Sequence, residues 1–382
     1  MYFDRALDLH SLLKNKSFFL FGPRATGKSS LIAKNLPDST LVINLLRSDI
    51  FLRLTSAPWQ LEEICATRSS LDDIVVIDEI QKVPILLNEV HRLIEEQGIR
   101  FLLTGSSARA LKKQGVNLLG GRARQAALFP LTFHEIPDFD LDHFLQFGGL
   151  PAIYLSDEPR EDLMAYVDTY LKEEIQAEAV VRKIPAFARF LQVAALSSGQ
   201  MLNFHSLASD IGLPASTTRE YYQVLEYTLL GFFVPAWIKS QKRKPVTRSK
   251  FYLFDIGVRH QLADINTLEP QSDRYGQAFE HFIAMELRAY LSYTRKNLSL
   301  SYWTSQHGFE VDFIIGDEIA IEVKTTQTLG DKHLKGLLKL KEESICKDYY
   351  IISMDKVARL TQGIQAMHWQ EFLRKLWAGE IV

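Results

Sequence analysis

A short apolar run that leads directly into a glycine-bracketed loop is the strongest constraint in this sequence. The run Phe18 to Phe21 ends at the loop, and residues 31 to 34 suit a helix. The loop reads Gly22-Pro23-Arg24-Ala25-Thr26-Gly27-Lys28-Ser29-Ser30. Glycines let backbone N–H groups curl around phosphate oxygens, and a helix N-terminus adds the positive end of its dipole. The order strand, loop, helix therefore predicts a P-loop that binds a nucleotide, rather than a glycine turn of another kind.

The residue types assign roles within this loop. Lys28 is expected to reach the β- and γ-phosphates, and Ser29 to hold a Mg²⁺ ion. The loop itself does not exclude GTP. We expect the whole segment from Gly22 to Ser30 to line a nucleoside triphosphate, with Mg²⁺ as a cofactor.

Length and composition indicate an ordinary globular chain. At 382 residues, with 47% apolar and 24% charged side chains, it has room for two to four domains. A net charge of −2 gives no global sign of nucleic-acid binding. No apolar stretch is long enough to cross a membrane, no secretory signal is present, and the two cysteines lie far apart. We therefore expect a cytoplasmic protein with no membrane partner.

A second strand delivers two acids to the same region. Ile74 to Ile77 are consecutive β-formers, and Asp78 and Glu79 follow them. This pattern is typical of a strand that is buried on both faces and carries its acids at the C-terminal edge of a parallel sheet. Asp78 is expected to position the Mg²⁺ and Glu79 to polarise the attacking water. The alternative is a buried strand that ends in a solvated acidic turn.

A third strand and a glycine pair add further candidates. The strand that begins at Phe101 ends in Thr104-Gly105-Ser106, whose hydroxyls suit contact with the γ-phosphate or the attacking water. Arg122 and then Arg124 follow the glycine pair at 120 and 121. A guanidinium neutralises charge on a transferring phosphate, so Arg122 is the first choice for this role and Arg124 the second. The alternative is a solvated loop arginine.

These motifs together resemble the AAA+ superfamily of bacterial and archaeal ATPases, in the group with a long-uncharacterised C-terminal domain. The motifs are Gly22 to Ser29, Ile74 to Gln81, Leu103 to Ser107, Gly121-Arg122 and Phe129 to Glu135. The resemblance implies ATP rather than GTP, and a helical lid over residues 136–186. Where relatives commonly carry an arginine-aspartate pair, this chain has Lys172-Glu173-Glu174. If Arg122 acts in trans the chain forms a homo-oligomer, and if it acts in cis a monomer suffices.

The next region has the pattern of a winged helix-turn-helix, over residues 187–256. An apolar stripe predicts a helix from Phe204 to Ile211 that Gly212 can end. A turn at residues 213–216 is followed by a capping-box pair, Thr217 with Glu220, for a second helix. The β-rich residues 232–234 come next.

A basic stretch follows the second helix. Its members carry no acid between them and are Lys239, Lys242, Arg243, Lys244, Arg248 and Lys250. A stretch of this kind is expected to lie along a DNA phosphate backbone. The alternatives are a packing module and a basic loop that is merely solvated.

The C-terminal region places carboxylates on neighbouring predicted strands. Glu280 lies at the margin of an apolar helix stripe, Asp312 on one strand, and Glu322 with Lys324 on the next, where alternation separates a polar from an apolar face. This spacing resembles the PD-(D/E)xK nuclease superfamily. The resemblance implies that Asp312 and Glu322 bind one or two Mg²⁺ ions and that Glu280 completes the ligand set. It also implies that Lys324 orients the attacking hydroxide or stabilises the pentavalent phosphate. The alternative is a metal-free binding domain that kept the polar face.

The resulting prediction is an α/β chain of four parts. They are an AAA+ P-loop parallel-sheet domain (1–135), a helical lid (136–186), a winged helix (187–256) and a restriction-endonuclease-like α/β domain (257–382). The predicted function is ATP hydrolysis that gates magnesium-dependent action on DNA. The alternative function is a non-cleaving, ATP-dependent switch that binds DNA or a protein partner.

Overall fold

The computed structural model of the chain describes residues 2–68, 70, 74–106, 119–171, 184–239, 247–343 and 345–382. The chain divides into two compact units. Unit 1 comprises residues up to Phe129 together with Tyr227–Leu229, and unit 2 comprises Pro130–Glu226 and Leu230–Val382. Within the described ranges, no helix combines the length and the apolar character needed to cross a bilayer.

Unit 1 is a parallel sheet with helices. Its strands are β1 (Ser17–Phe21), β2 (Leu41–Asn44), β3 (Val75–Asp78), β4 (Phe101–Gly105) and β5 (Ala123–Ala127). Its helices are α1 (Leu9–Leu13), α2 (Lys28–Asn35), α3 (Ser48–Ser56), α4 (Gln60–Cys65) and α5 (Leu86–Gln97). Among the described residues the strand order is β2-β3-β4-β1-β5, and every pairing is parallel. The predicted α/β class and parallel sheet of this part are confirmed.

The central strands of unit 1 are apolar except at their ends, because both of their faces are covered. Val75, Val76 and Ile77 have no exposed surface, and β1 and β4 are buried throughout. Helix α5 contributes Val90 and Leu93 to the same core. Burying side chains of this size stabilises the fold by about 1.5–3 kcal/mol each.

The register of these strands brings three polar strand ends together. Thr104 pairs with Leu20 and Gly105 with Phe21, so β4 ends where the P-loop begins. Ile77 pairs with Leu103, which places Asp78 level with Thr104. Strand β4 thus lies between the P-loop strand and the strand that carries Asp78.

Unit 2 begins with helical segments. They are α6 (Leu141–Phe147), α7 (Pro151–Tyr154), α8 (Pro159–Ala165), a π-helical turn (Tyr166–Leu171), α9 (Ile184–Leu196), α10 (Phe204–Ile211) and α11 (Ala215–Tyr227). The stretch Lys172-Glu173-Glu174 lies outside the described residues.

Helix α11 starts earlier than the sequence predicts. The backbone N–H and the hydroxyl of Thr218 both donate to the carbonyl of Pro214, at 3.0 and 3.2 Å. The helix therefore begins at Ala215, directly after the proline, and Thr217 lies inside it rather than at its cap. The predicted turn at 213–216 is accordingly shorter.

Two short strands follow the helix pair. They are β6 (Gly231–Val234) and β7 (Lys250–Leu253), which pair antiparallel. Helix α12 (Ile256–Leu262) comes next, and Asp255 accepts the N–H of Val258 at its N-terminus. Asp255 also accepts the N–H of Gly149, at 2.8 Å.

The remainder of unit 2 is a long helix and a mixed sheet. The helices are α13 (Asp273–Tyr293), α14 (Lys335–Lys341) and α15 (Trp369–Trp377). The strands are β8 (Leu300–Thr304), β9 (Glu310–Ile315), β10 (Ile319–Val323), β11 (Asp348–Ser353), β12 (Arg359–Thr361) and β13 (Ile364–His368). Among the described residues their order is β12-β13-β11-β10-β9-β8. Strands β9 and β10 are antiparallel neighbours. This pairing brings Asp312 on β9 close to Glu322 on β10.

The two cysteines are buried. Cys65 has no exposed surface and Cys346 has 8%. Burial raises the pKa of each thiol to about 12, because the thiolate loses its hydration. Neither is therefore a reactive thiol at neutral pH.

Candidate functional site

The P-loop turns back on itself between β1 and α2. Ala25 and Gly27 have positive φ angles of 63° and 90°, which reverse the chain ahead of the helix. The buried hydroxyl of Thr26 donates to the carbonyl of Pro23 at 2.9 Å. The ammonium of Lys28 donates to the carbonyls of Gly22 and Pro23, at 2.6 and 3.0 Å. The loop is thus held by its own side chains.

Neighbouring groups fix the loop from outside. A Cβ atom at Gly22 would lie 2.5 Å from the carbonyl oxygen of Leu128, so only glycine fits there. The guanidinium of Arg5 donates to the carbonyls of Thr26 and Phe129, at 2.6 and 2.7 Å. Ser29 and Ser30, at the start of α2, are exposed. The exposed hydroxyl of Ser29 is available for the metal role that the sequence predicts.

The acids after β3 are linked to the end of β4. The hydroxyl of Thr104 donates to the carboxylate of Asp78, and it accepts the backbone N–H of Glu79 at 3.3 Å. Glu79 has a left-handed backbone with φ 62° and ψ 44°. The structure therefore brings Asp78, Glu79 and Thr104 together at the sheet edge where the P-loop begins.

Gln81 is a member of this group that the sequence analysis missed. Its amide donates to the carboxylate of Glu79. A Cβ atom at residue 105 would lie 2.4 Å from the side-chain oxygen of Gln81, so Gly105 makes room for it. Two features of the sequence indicate this contact. One is a polar residue two places after Glu79, and the other is the glycine at the end of the next strand.

Arg122 lies at the opposite end of the strands from the P-loop. It directly precedes Ala123, which pairs with Ser17 at the start of β1, whereas the P-loop follows Phe21 at its end. That separation is roughly 16 Å along the strand. Arg122 instead contacts Glu95 near the end of α5. In this arrangement Arg122 lies away from the P-loop of its own chain, and its role at the phosphate, in cis or in trans, stays a prediction.

Arg124 is placed no better for a role in cis. It pairs with Phe18 on the edge strand β5, and its side chain is exposed. Ser106, the second hydroxyl candidate, follows β4 and is half-buried.

A second polar group lies inside unit 2, and we call it the carboxylate–lysine cluster. Its members are Lys250, Tyr252, Glu280, Glu310, Asp312, Glu322 and Lys324. The Lys250 ammonium lies 3.0 Å from a carboxylate oxygen of Glu280 and 2.6 Å from one of Glu310. The hydroxyl of Tyr252 donates to Glu280 at 2.6 Å. Glu280 thus has two donors from β7.

Lys324 neutralises the other side of the cluster. Its ammonium lies 2.6 Å from Glu322 and 3.8 Å from Asp312. Asp312 also accepts the backbone N–H of Val323 at 2.8 Å. The second carboxylate oxygen of Glu322 is buried and accepts no hydrogen bond from the described residues. The structure therefore confirms that Asp312, Glu322 and Lys324 lie side by side.

Burial and charge act in opposite directions on these groups. Loss of hydration raises the pKa of Asp312 to about 6, and loss of hydration together with the Asp312 charge raises that of Glu322 to about 8. Burial also acts to raise the pKa of Glu280, but Lys250 and Tyr252 outweigh it and the pKa is lowered. Burial acts to lower the pKa of Lys250, yet the surrounding acidic groups raise it well above its usual value. Lys250 and Glu280 therefore form an ionised pair.

The acids of this cluster lie against protein groups. Within the described residues, no three side chains of His, Cys, Asp and Glu are grouped so that they hold a metal ion together. Each acid has a protein partner, whereas the second oxygen of Glu322 accepts no hydrogen bond from the described residues. Glu280 faces Lys250, Asp312 faces a backbone N–H, and Glu322 faces Lys324. The metal role predicted for Glu280, Asp312 and Glu322 stays a prediction.

The basic stretch is divided by the fold. Lys239 contacts Asp317 at 2.5 Å and Arg248 is exposed, while Lys242, Arg243 and Lys244 lie outside the described residues. Lys250 is not part of a surface, because only 4% of its side chain is exposed. Its assignment to a DNA-contacting stripe is wrong. In the sequence, Lys250 directly precedes the apolar run Phe251 to Phe254. This position indicates that its side chain lies in a core.

Comparisons with known proteins match three successive regions of the chain. Residues 14–137 match the family profile described as AAA domain. Residues 138–269 and 275–372 match two profiles described as domains of unknown function, DUF8612 and DUF4143. The N-terminal region is thus similar to an ATPase domain, and the other two matches assign no activity.

Two relatives are similar to larger parts of the chain. An uncharacterised protein of Methanocaldococcus jannaschii is 24% identical over 372 residues, which cover 87% of this chain and 80% of that protein. An uncharacterised protein of Haemophilus influenzae is 23% identical over 231 residues, which cover 56% of each.

Proposed function

We propose that unit 1, whose sequence matches an AAA domain, binds ATP with Mg²⁺ and hydrolyses it. The observation that carries this proposal is the Thr104 hydroxyl, which contacts both Asp78 and Glu79 at the edge where the P-loop begins. A phosphate-binding loop, a metal-binding acid and a water-orienting acid are the parts that phosphoryl transfer to water requires.

Each residue has a distinct part in this chemistry. The backbone of the loop and Lys28 bind the phosphates, while Ser29 and Asp78 hold the metal, which neutralises phosphate charge. Glu79 orients the attacking water and accepts its proton. Gln81 and Thr104 position Glu79 from its side chain and its backbone, respectively.

Replacing the P-loop lysine tests this proposal. We expect Lys28→Ala to lower ATP turnover by about 100-fold or more, because it removes a charge directed at the phosphates. Phosphate release measures turnover, and circular dichroism checks the fold. The matched control is Lys34→Ala, an exposed lysine on the same helix, which should keep wild-type turnover. Equal turnover in Lys28→Ala and wild type would contradict the proposal.

For unit 2 we propose the non-cleaving function, an ATP-dependent switch that binds DNA. Each of the acids Glu280, Asp312 and Glu322 has a lysine or a backbone N–H as a partner, which favours binding over cleavage. Helix α11 supplies a surface of suitable chemistry, since Ser216, Arg219 and Gln223 are exposed along it. Side chains of these types contact base edges and phosphates.

Labelled duplex DNA tests the proposal for unit 2. We expect wild type with ATP to bind duplex DNA, Arg219→Ala to weaken that binding about 10-fold, and Arg274→Ala, an exposed arginine on α13, to leave it unchanged. No cleavage product is expected with Mg²⁺. A product that disappears in Lys324→Ala would show that the cluster cleaves DNA. Absence of DNA binding with normal ATP turnover would direct attention to a protein partner.

A further inference from the structure

Lys250 lies within the carboxylate–lysine cluster, where the acids converge. Its ammonium is 3.0 Å from Glu280 and 2.6 Å from Glu310, and Asp312 is close enough to act on its charge. Only 4% of its side chain is exposed. A lysine so deeply buried requires negative partners, because an isolated ammonium is very costly to remove from water. Lys250 and the acids are therefore necessary to one another.

The backbone fixes the position of Lys250 from two sides. In the β6–β7 pair it lies opposite Val234, and it also bridges to Met201. The ring of Tyr302 lies 5.2 Å from the ammonium. Tyr252, two residues further along the same strand, donates to Glu280, which Lys250 also contacts. The cation is thus delivered by a paired strand.

The charges of the cluster explain why such a cation is needed. It contains four carboxylic side chains, Glu280, Glu310, Asp312 and Glu322, and two ammonium groups. Carboxylate oxygens in this number are the donors that hard divalent cations prefer. Lys324, with 34% of its side chain exposed, neutralises the rim, and Lys250 neutralises the interior.

We propose that Lys250 is the resident cation of this cluster, with its ammonium in the position that a divalent metal takes among such acids. Unit 2 then binds no Mg²⁺ or Mn²⁺ at Glu280, Asp312 and Glu322. Removal of the lysine charge converts the cluster into a divalent-cation site. This proposal is independent of ATP hydrolysis, which takes place in unit 1.

Manganese binding without nucleotide tests the proposal. Electron paramagnetic resonance of free Mn²⁺ counts bound ions in wild type, Asp312→Asn, Lys250→Met and Lys250→Met/Asp312→Asn. We expect wild type and Asp312→Asn to bind equal numbers. Lys250→Met should bind one further ion per chain, and the double variant should lose that ion. Lys239→Met is the matched control, because it removes an exposed lysine that lies between β6 and β7 and should bind as wild type does.

Two outcomes would overturn the proposal. One is Mn²⁺ binding by wild type that Asp312→Asn abolishes, since the site would then already hold metal. The other is a folded Lys250→Met variant that binds no further ion. If Lys250→Met fails to fold, the comparison of wild type with Asp312→Asn still decides. In that case the double variant Lys250→Met/Glu280→Gln should recover the fold, because it removes one charge of each sign. Failure to recover the fold would count against the pairing of Lys250 with Glu280.

Discussion

Glu79 is held in a left-handed backbone conformation directly after the strand that carries Asp78. A non-glycine residue in this region of backbone space costs on the order of 1 kcal/mol or more. Thr104 accepts its N–H, and Gln81 donates to its carboxylate. Side chains from two elements thus maintain a strained residue at the proposed site of water activation, as is common where chemistry takes place.

Replacing the Glu79 carboxylate by an amide is expected to separate ATP binding from hydrolysis. Glu79→Gln should lower turnover by about 100-fold or more, because an amide cannot accept the proton of the attacking water. Nucleotide affinity should change little, since the loop and Lys28 remain. Phosphate release and calorimetric titration measure the two quantities. Glu63→Gln, an exposed glutamate of the same unit, is the control. Wild-type turnover in Glu79→Gln would remove Glu79 from the mechanism.

Glu286 makes the stability of unit 2 sensitive to pH. It is 1% exposed and accepts the N–H of Phe133 at 2.7 Å and the indole N–H of Trp377 at 2.8 Å. Burial raises its pKa to about 8. Folding therefore favours the protonated acid, so its stabilising contribution is complete below the ordinary pKa near 4.5 and is lost as the pH rises through about 8.

The corresponding prediction concerns the slope of stability against pH. The free energy of unfolding of unit 2 should fall between pH 5 and 8, and Glu286→Gln should reduce that fall by on the order of 3 kcal/mol, since one pKa unit is about 1.4 kcal/mol. Asp255, Asp312 and Glu322, whose pKa values are also raised, leave a residual slope. Urea titrations at several pH values measure this. An identical slope in variant and wild type would refute the assignment, and Glu269→Gln, with an exposed side chain, is the control.

At the level of elements, helix α14 packs unusually closely on strand β9. A Cβ atom at Gly336 would lie 2.0 Å from the carbonyl oxygen of Glu310 and 3.7 Å from a carboxylate oxygen of Glu322. A backbone atom cannot move aside as a flexible side chain does. Gly336 therefore sets the distance between the helix and the carboxylate–lysine cluster.

Gly336→Ala is expected to destabilise unit 2 by about 1–3 kcal/mol, the usual cost of overpacking. Helix propensity alone predicts the opposite sign, a gain of nearly 1 kcal/mol. Gly330→Ala is the control, because a Cβ there meets no atom within 4 Å and its φ of −136° suits any residue. Chemical denaturation measures both variants. A stabilised Gly336→Ala protein would show that the helix does not approach β9 so closely.

The elements also show what the sequence was able to predict. Strands β3 and β4 were predictable because a continuous apolar run needs cover on both faces, and their polar ends follow from the parallel arrangement. The alternation of β9 and β10 located Asp312, Glu322 and Lys324 on one side. It gave no information about what covers that side, and both strands are buried almost throughout. Lys250 was assigned to a surface stripe because its partners lie 30 and 60 residues away along the chain, which no local pattern records.

At the level of the whole molecule, the chain passes between its two units three times, after Phe129, Glu226 and Leu229. Residues that the sequence assigns to separate regions belong together in unit 2. The N–H of Trp237, after β6, donates to the carbonyl of Tyr302 on β8 at 2.6 Å. Main-chain pairing between such distant segments has no signature in sequence periodicity.

Hydrogen exchange provides the test of coupling between ATP and unit 2. ATP with Mg²⁺ should slow amide exchange in the P-loop, because bound phosphates hold its N–H groups. If the chain is a switch, exchange in α10 and α11 should change by at least several-fold as well. Lys28→Ala should lose both effects. Protection confined to the P-loop would agree with ATP binding by unit 1 and would contradict the proposed switch.

The burial of Cys65 and Cys346 has a practical consequence. Since thiols with a pKa of about 12 carry almost no thiolate at neutral pH, maleimide reagents should leave both untouched. A cysteine introduced at an exposed position in each unit is then the only place where a fluorophore attaches. Energy transfer between two such dyes can follow the nucleotide cycle in a chain that keeps its native cysteines.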